Sequence, residues 1–228
     1  MSTLVVYSDT TDGYIYSISG VADDGEGGGV NGTYAAARAG TASPFGADDA
    51  ATYAIVGQAK VTANFTEYQV DEAFLAFNTS SIPDTDTVSA AVLNLTSQSD
   101  GSITDFTIEA RLSDWGTGLT TADYVAGASL SGLTLLAHRD TASGWTVNTA
   151  YDLTDDAFAA NVNKTGTTRL LLCSDHTTGN TAPTGAEYVY AYLANYTGTT
   201  RDPKLTVTYS SSYDPNVPGA TQAMMGMV

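Results

Sequence analysis

The sequence predicts an all-β protein: a single jelly-roll-like β-sandwich with one or two short loop helices and an extended C-terminal tail. Three observations predict it. Many short segments alternate apolar and polar residues with a period of two, the side-chain period of a strand with one buried face. Gly, Pro, Asp and Asn recur between them and supply turn chemistry. No linker and no internal repeat of about 20–50 residues interrupts the series. The sandwich is therefore placed at residues 1–209 and the tail at 210–228.

Along the chain, strands are expected at TLVVYS (3–8), YIYSIS (14–19), TYAAARA (33–39), TYAIVG (52–57) and EAFLAFN (72–78). In AAVLNLTS (90–97), Ala91, Leu93 and Leu95 share one face, and Asn94 and Thr96 share the other. Between these last two strands lies NTSSIPDTDT. Pro83 fixes its own φ, Asp84 and Asp86 can bond nearby backbone, and Ile82 is expected to pack beneath the turn. In TDFTIEARLSD (104–114), Phe106, Ile108, Ala110 and Leu112 point in, while Glu109, Arg111 and Ser113 point out. Further strands are LTLLAHR (133–139), TRLLLCS (168–174), EYVYAYLA (187–194) and PKLTVTY (203–209). FLAF and RLLLC are apolar on both faces, so they belong in the middle of a sheet covered on both sides. Helix signals are few. TDDAFAANVN (154–163) reads as a short helix capped by Thr154, and Thr120 or Thr121 caps a second turn led by Asp123.

Composition limits the functions. Charged residues make up 14% of the chain, against about 25% in an average protein, and the net charge is −17. Eight Lys plus Arg cannot build the basic face that nucleic acid or an anionic membrane requires. No apolar run approaches the length of a membrane-spanning helix. The opening MSTLVVYSD has neither a basic segment nor a sufficient apolar run for a secretion leader. The Gly-, Thr-, Ser- and Tyr-rich composition nevertheless suits the outside of a cell. A protein made in a host cytoplasm and released by lysis reconciles the two, so a virion surface is the expected location.

Several features carry a family resemblance. YQVDEAFLAFNTSSIPDTDTVSAAVLNL is followed by FTIEARLSDW, ending on Trp115. Then come Trp145 ahead of YDLT, the strand TRLLLCSD, and a closing EYVYAY…RDPKLTVTY with Pro203 before the last strand. In this order they resemble the jelly-roll modules of the DNRLRE type over about residues 3–209. The DNRLRE string is absent, and the usual Asn-Tyr-Gly turn near the N-terminus is not clear. The resemblance implies a β-sandwich of surface, secreted and bacteriophage structural proteins, and it carries no catalytic residues with it.

No enzyme is expected. Only His138 and His176 are present, and no serine sits in a Gly-x-Ser-x-Gly turn. Cys173 lies in an apolar run and reads as a buried thiol. A carboxylate pair such as Asp71 with Glu109 is the one glycosidase arrangement to weigh. Cofactors are not expected. DDGE (23–26), Asp48 with Asp49, and Asp155 with Asp156 offer oxygen ligands for a structural calcium, but solvated acidic loops are the plainer reading. Asn-x-Ser/Thr triplets at Asn31, Asn64, Asn78, Asn94, Asn163 and Asn195 are assigned no glycan.

Two sets of residues are candidates for binding. Tyr188, Tyr190 and Tyr192 line one face of a strand. Exposed, they would stack on host glycans; buried, they are packing, which the apolar Val189, Ala191 and Leu193 between them favour. In the tail, Tyr213, Met224, Met225 and Met227 are candidates for docking on another virion subunit or another copy of the chain, since the end, AMMGMV, is apolar and uncharged and methionines adapt to irregular surfaces. The alternative is that the tail folds back over its own sandwich. The expected function is thus a non-enzymatic virion structural protein (decoration, fibre or tail-surface component), with a carbohydrate-binding adhesin as the alternative.

Overall fold

The computed structural model of the chain describes residues 1–21, 29–43 and 45–210. The candidate tail residues Tyr213, Met224, Met225 and Met227, and the acidic stretch at 23–26, lie outside the described residues. The strands are β1 (Ser2–Tyr7), β2 (Gly13–Ser19), β3 (Phe45–Asp48), β4 (Tyr53–Thr62), β5 (Thr66–Asn78), β6 (Thr87–Asp100), β7 (Thr107–Leu112), β8 (Leu135–Asp140), β9 (Ala150–Asp152), β10 (Thr154–Asp155), β11 (Thr167–Ser174), β12 (Ala186–Tyr192) and β13 (Lys204–Ser210). Three short helices accompany them: α1 (Tyr34–Ala39), α2 (Gly127–Leu130) and α3 (Asp175–Thr178).

Every strand pairing is antiparallel. The main path runs β1-β13-β6-β12-β4-β5-β11-β7-β8-β10, with β2 on the other edge of β5 and β3 beyond it. This curled path makes the two layers of a sandwich. β4 turns the corner between them: Gly57 to Thr62 pair with β5, whereas the residues before Gly57 pair only with β12. Gly57 sits at φ +134°, a conformation L side chains rarely adopt, which fits a strand changing sheets. Between the layers lies the main core. It includes Leu75 and Phe77 of β5, Leu93 and Leu95 of β6, Leu170 and Leu172 of β11, and Leu205 and Val207 of β13.

In β6, Ala91, Leu93 and Leu95 are buried and Asn94 is half-buried as the alternation predicts, but Thr96 is buried too, on the face where β6 pairs with β9. Ile82 is buried in the main core beneath the β5–β6 turn. That turn is fastened by Asn78, whose Oδ1 accepts from the backbone N–H and Oγ of Ser80. Lys164 Nζ donates to the carbonyls of Asp84 and Asp86.

FLAF and RLLLC are central, as their two-sided apolarity predicts. Their second face is covered by Trp115, Leu119 and Leu130 from the segment between β7 and β8, packed on Phe74, Ala76, Leu171 and Cys173. The same cover corrects one expectation. Arg111 is buried and Glu109 is largely covered, because the outer face of β7 lies under this layer and α3.

Two further expectations are overturned. TYAAARA is helix α1, not a strand. Thr33 caps it by accepting from Ala36 N–H, Gly40 ends it at φ +66°, and the alanines between are the best helix formers. TDDAFAANVN is not a helix capped by Thr154. Thr154 and Asp155 pair with His138 and Ala137 of β8, and only Ala159–Asn161 makes a 3₁₀ turn. Asp155 accepts instead from Phe158 N–H, turning the chain so that Phe158 enters the core. The expected turn after Thr120 is present at Thr121–Asp123, with Thr120 and Asp123 capping each other.

Candidate functional site

The corner between the layers leaves an open hollow, and register explains its lining. Asp71 of β5 lies opposite Gly57 of β4 on one side and Tyr16 of β2 on the other. Tyr188 of β12 lies opposite Gly57, and Tyr190 opposite Ile55. Directly opposed antiparallel residues share a face. The row Tyr188–Gly57–Asp71–Tyr16 therefore crosses four strands, with Gln69 and Ile18 as the next pair along. A hollow of about 390 Å³ is lined by Tyr14, Tyr16, Ile18, Ile55 and Gln69. A second, of about 260 Å³, adjoins it across Tyr14 and reaches Asp48, Thr52 and Tyr53.

Aromatic rings rim this region. Tyr14 and Tyr16 stand 6.2 Å apart between centroids. Tyr53 meets Tyr190 edge-on at 5.4 Å, and Tyr190 meets Tyr188 edge-on at 5.5 Å. Tyr16 and Tyr188 lie against Gly46 and Gly101, where an added Cβ would stand 2.5 Å and 2.2 Å from them. Tyr188 and Tyr190 are half-buried on the outer face, with Val189 and Ala191 turned into the main core. Tyr192 is buried away from them. Its ring meets Tyr196 and the Arg201 guanidinium, and its hydroxyl bonds Asn148 Oδ1. The tyrosine row thus divides: Tyr188 and Tyr190 stand half-buried beside the lining residues Ile55 and Tyr53 without lining the hollows themselves, and Tyr192 is in packing.

Beneath the rings lies a polar floor. Gln69 Nε2 donates to Asp71 Oδ1 at 2.8 Å. Asp71 is 1% exposed, and its Oδ2 has no partner among the described residues. Burial pushes this carboxyl up to about 7. Burial also raises Tyr190 to about 12, with Tyr188, Tyr53 and Asp71 adding to the effect. The floor was not legible from the sequence as a site. Asp71 and Gln69 share a face of β5, but only cross-strand register brings Tyr14, Tyr16 and Ile55 around them.

The other candidates are tied into the structure. Asp71 and Glu109 do not form a glycosidase pair. Register places Glu109, Cys173, Leu171 and Phe74 on one face of the sheet and Asp71 on the other. Glu109 Oε2 accepts from Arg111 and from Thr178 Oγ1. Cys173 is buried, and desolvation holds its thiol far above the usual range. His138 Nδ1 lies 2.6 Å from Asp156 Oδ2 at the surface. His176 Nδ1 meets Glu187 Oε2 at 2.9 Å, in a network where Gln58 also bonds Glu187, Tyr34 and Thr177. That network fastens α1 and α3 to the sheet. The acidic pairs act as turn makers: Asp48 Oδ1 accepts from Ala50 N–H and Asp155 Oδ1 from Phe158 N–H. Among the described residues no three His, Cys, Asp or Glu side chains are grouped to hold a metal.

No protein-family model matches the chain, and no curated protein is similar to it.

Proposed function

We propose that the chain is a non-enzymatic structural component of a bacteriophage particle surface, as decoration, fibre or tail-surface protein, that binds other virion subunits. The resemblance of its ordered motifs to phage-associated jelly-roll modules supports this reading, as does its acidic, lysine-poor composition. The structural observation that carries it is the free edge of β1. Among the described residues this strand ends the sheet path and pairs only with β13. Its sequence, STLVVY, has no charge, and Val5 and Tyr7 are 48% and 45% exposed. Proteins usually protect such an edge with charge, proline or shortness. The opposite end, β10, is two residues long and carries Asp155. An unprotected strand in so acidic a chain suits pairing with a strand of a neighbouring subunit. Val5→Lys should leave the folded monomer intact and prevent incorporation into particles, read by mass spectrometry of purified virions for this chain and its copy number. Particles that carry no copy of the wild-type chain, or that take up the variant equally well, would sink the proposal.

The tyrosine-rimmed hollow favours a second reading, a carbohydrate-binding module that contacts host glycans. Tyrosine faces cover the apolar C–H surface of a sugar ring while hydroxyls supply hydrogen bonds. The two roles are compatible: β1 pairs with β13 and contributes no residue to the lining of either hollow. Titration of the purified chain with oligosaccharides of the host surface tests this reading.

A further inference from the structure

We infer that the corner hollow is a two-subsite groove for a neutral saccharide, with Gln69 as its central hydrogen-bonding group and Asp71 as the residue that positions Gln69. This rests on the second, carbohydrate-binding reading and names its site. The walls are Tyr14, Tyr16 and Ile55, and Gln69 is the amide among them. A few convergent polar groups among aromatic walls is the usual make-up of a ligand site. The adjoining hollow shares Tyr14, so the groove continues past one ring toward Thr52 and Tyr53.

The floor gives the polarity. Because Gln69 Nε2 donates to Asp71 Oδ1, the amide has one settled orientation. Its remaining N–H and its Oε1 are then fixed for sugar hydroxyls, one accepting and one donating. Asp71 is an expensive way to hold an amide. Its Oδ2 is buried without a partner among the described residues, as Glu72 Oε1 is on the roofed face, but only Asp71 bonds a side chain that lines the hollow. Such unsatisfied groups gather at functional sites. Charge selects the ligand. Asp48 lines the second hollow, in a chain of net charge −17. Anionic sugars are repelled, so a neutral saccharide is the class that fits.

The test uses the full chain and titrates maltose, cellobiose, lactose and diacetylchitobiose, with N-acetylneuraminic acid as the anionic control. Binding is read by saturation-transfer NMR and by shifts of the Gln69 side-chain amide. At least one neutral disaccharide should bind in the millimolar range and move that amide. Gln69→Ala and Tyr14→Ala should each weaken it about tenfold. Asp71→Ala, which removes the acceptor that holds Gln69, should weaken it about fivefold with the fold intact by circular dichroism, whereas Asp71→Asn, which keeps an acceptor at Oδ1, should bind as the wild type does, a rescue that reports on the positioning bond. Val147→Ala, at an exposed position that lines neither hollow, should change nothing. If no neutral disaccharide binds, the carbohydrate reading fails and the site with it. If one binds but Gln69→Ala and Tyr14→Ala leave its affinity unchanged, the site is wrong while the carbohydrate reading stands. Tighter binding of N-acetylneuraminic acid than of any neutral sugar would overturn the charge argument.

Discussion

Asp71 and Glu72 are neighbours in the sequence and opposites in the fold. Both are buried carboxyls on β5, and alternation sends them to different faces. Glu72 lies under a roof: its Oε2 accepts from Val125 N–H, and Tyr124, beside it, bonds the end of α1 through its hydroxyl. Asp71 lies under a hollow, with Gln69 as its one partner. Burial raises both, Glu72 well above the ordinary carboxyl value and Asp71 to about 7. The difference teaches what a second layer does. On the roofed face, polar groups fasten helices and loop to the sheet. On the open face, similar desolvation is left available to a ligand.

The sharpest way to break this contrast is at the apolar residues of the two faces. Phe74, fully buried against Trp115, should cost about 3–5 kcal/mol on truncation to Ala, measured by denaturant unfolding. Tyr16→Ala, on the hollow side, should cost about 1 kcal/mol. Equal losses would mean that the hollow is part of the core.

Acid sharpens it next. Asp12 and Asp71 have folded values near 7, above the ordinary 3.8, so the folded state holds protons that the unfolded state has released. Their stabilising contribution is complete below about 4 and is lost as pH rises through about 7. Asp12 is raised first by burial and then by Asp202 and Asp9; Asp71 is raised by burial, with Gln69 opposing it. The chain should therefore be more stable at pH 5 than at pH 8, by about 2 kcal/mol per carboxyl. Asp71→Asn should remove its share of the slope and stabilise the protein at pH 8. A thermal midpoint that rises with pH across this window would contradict the assignment.

Thr33→Ala loosens the roof rather than the hollow. Losing the cap of α1 should cost about 1 kcal/mol and speed amide exchange in α1, which packs on Val70. Protection at Gln69 should be unchanged. The smallest effect belongs to Asn94→Ala. Asn94 Nδ2 donates to Asp152 Oδ1 at the surface, and the loss should be about 0.5 kcal/mol. Its inward neighbour Leu93, truncated in the same way, should cost about 2–5 kcal/mol. Similar values for the two would mean the register of β6 is misread.

By itself the sequence determined the all-β class, most of the strands, the inward face of β6, the central place of FLAF and RLLLC, and the turn under which Ile82 packs. These follow from a period of two and from turn residues, which act within a few positions of each other. It misplaced TYAAARA because β-like flanks outweighed an alanine run whose helix depends on Thr33 and Gly40 at its ends. It gave TDDAFAANVN a helix because local propensity cannot see β8, which claims Thr154 and Asp155 by pairing. Only the tertiary structure decided which tyrosines stand at a surface. Tyr188, Tyr190 and Tyr192 are equivalent by periodicity, yet Arg201 and Tyr196 bury the third. It alone joined Tyr14, Ile55 and Gln69 around one hollow, and it alone left β1 as a free edge. Those relations are set by cross-strand register between segments distant in the chain, and no local pattern encodes them.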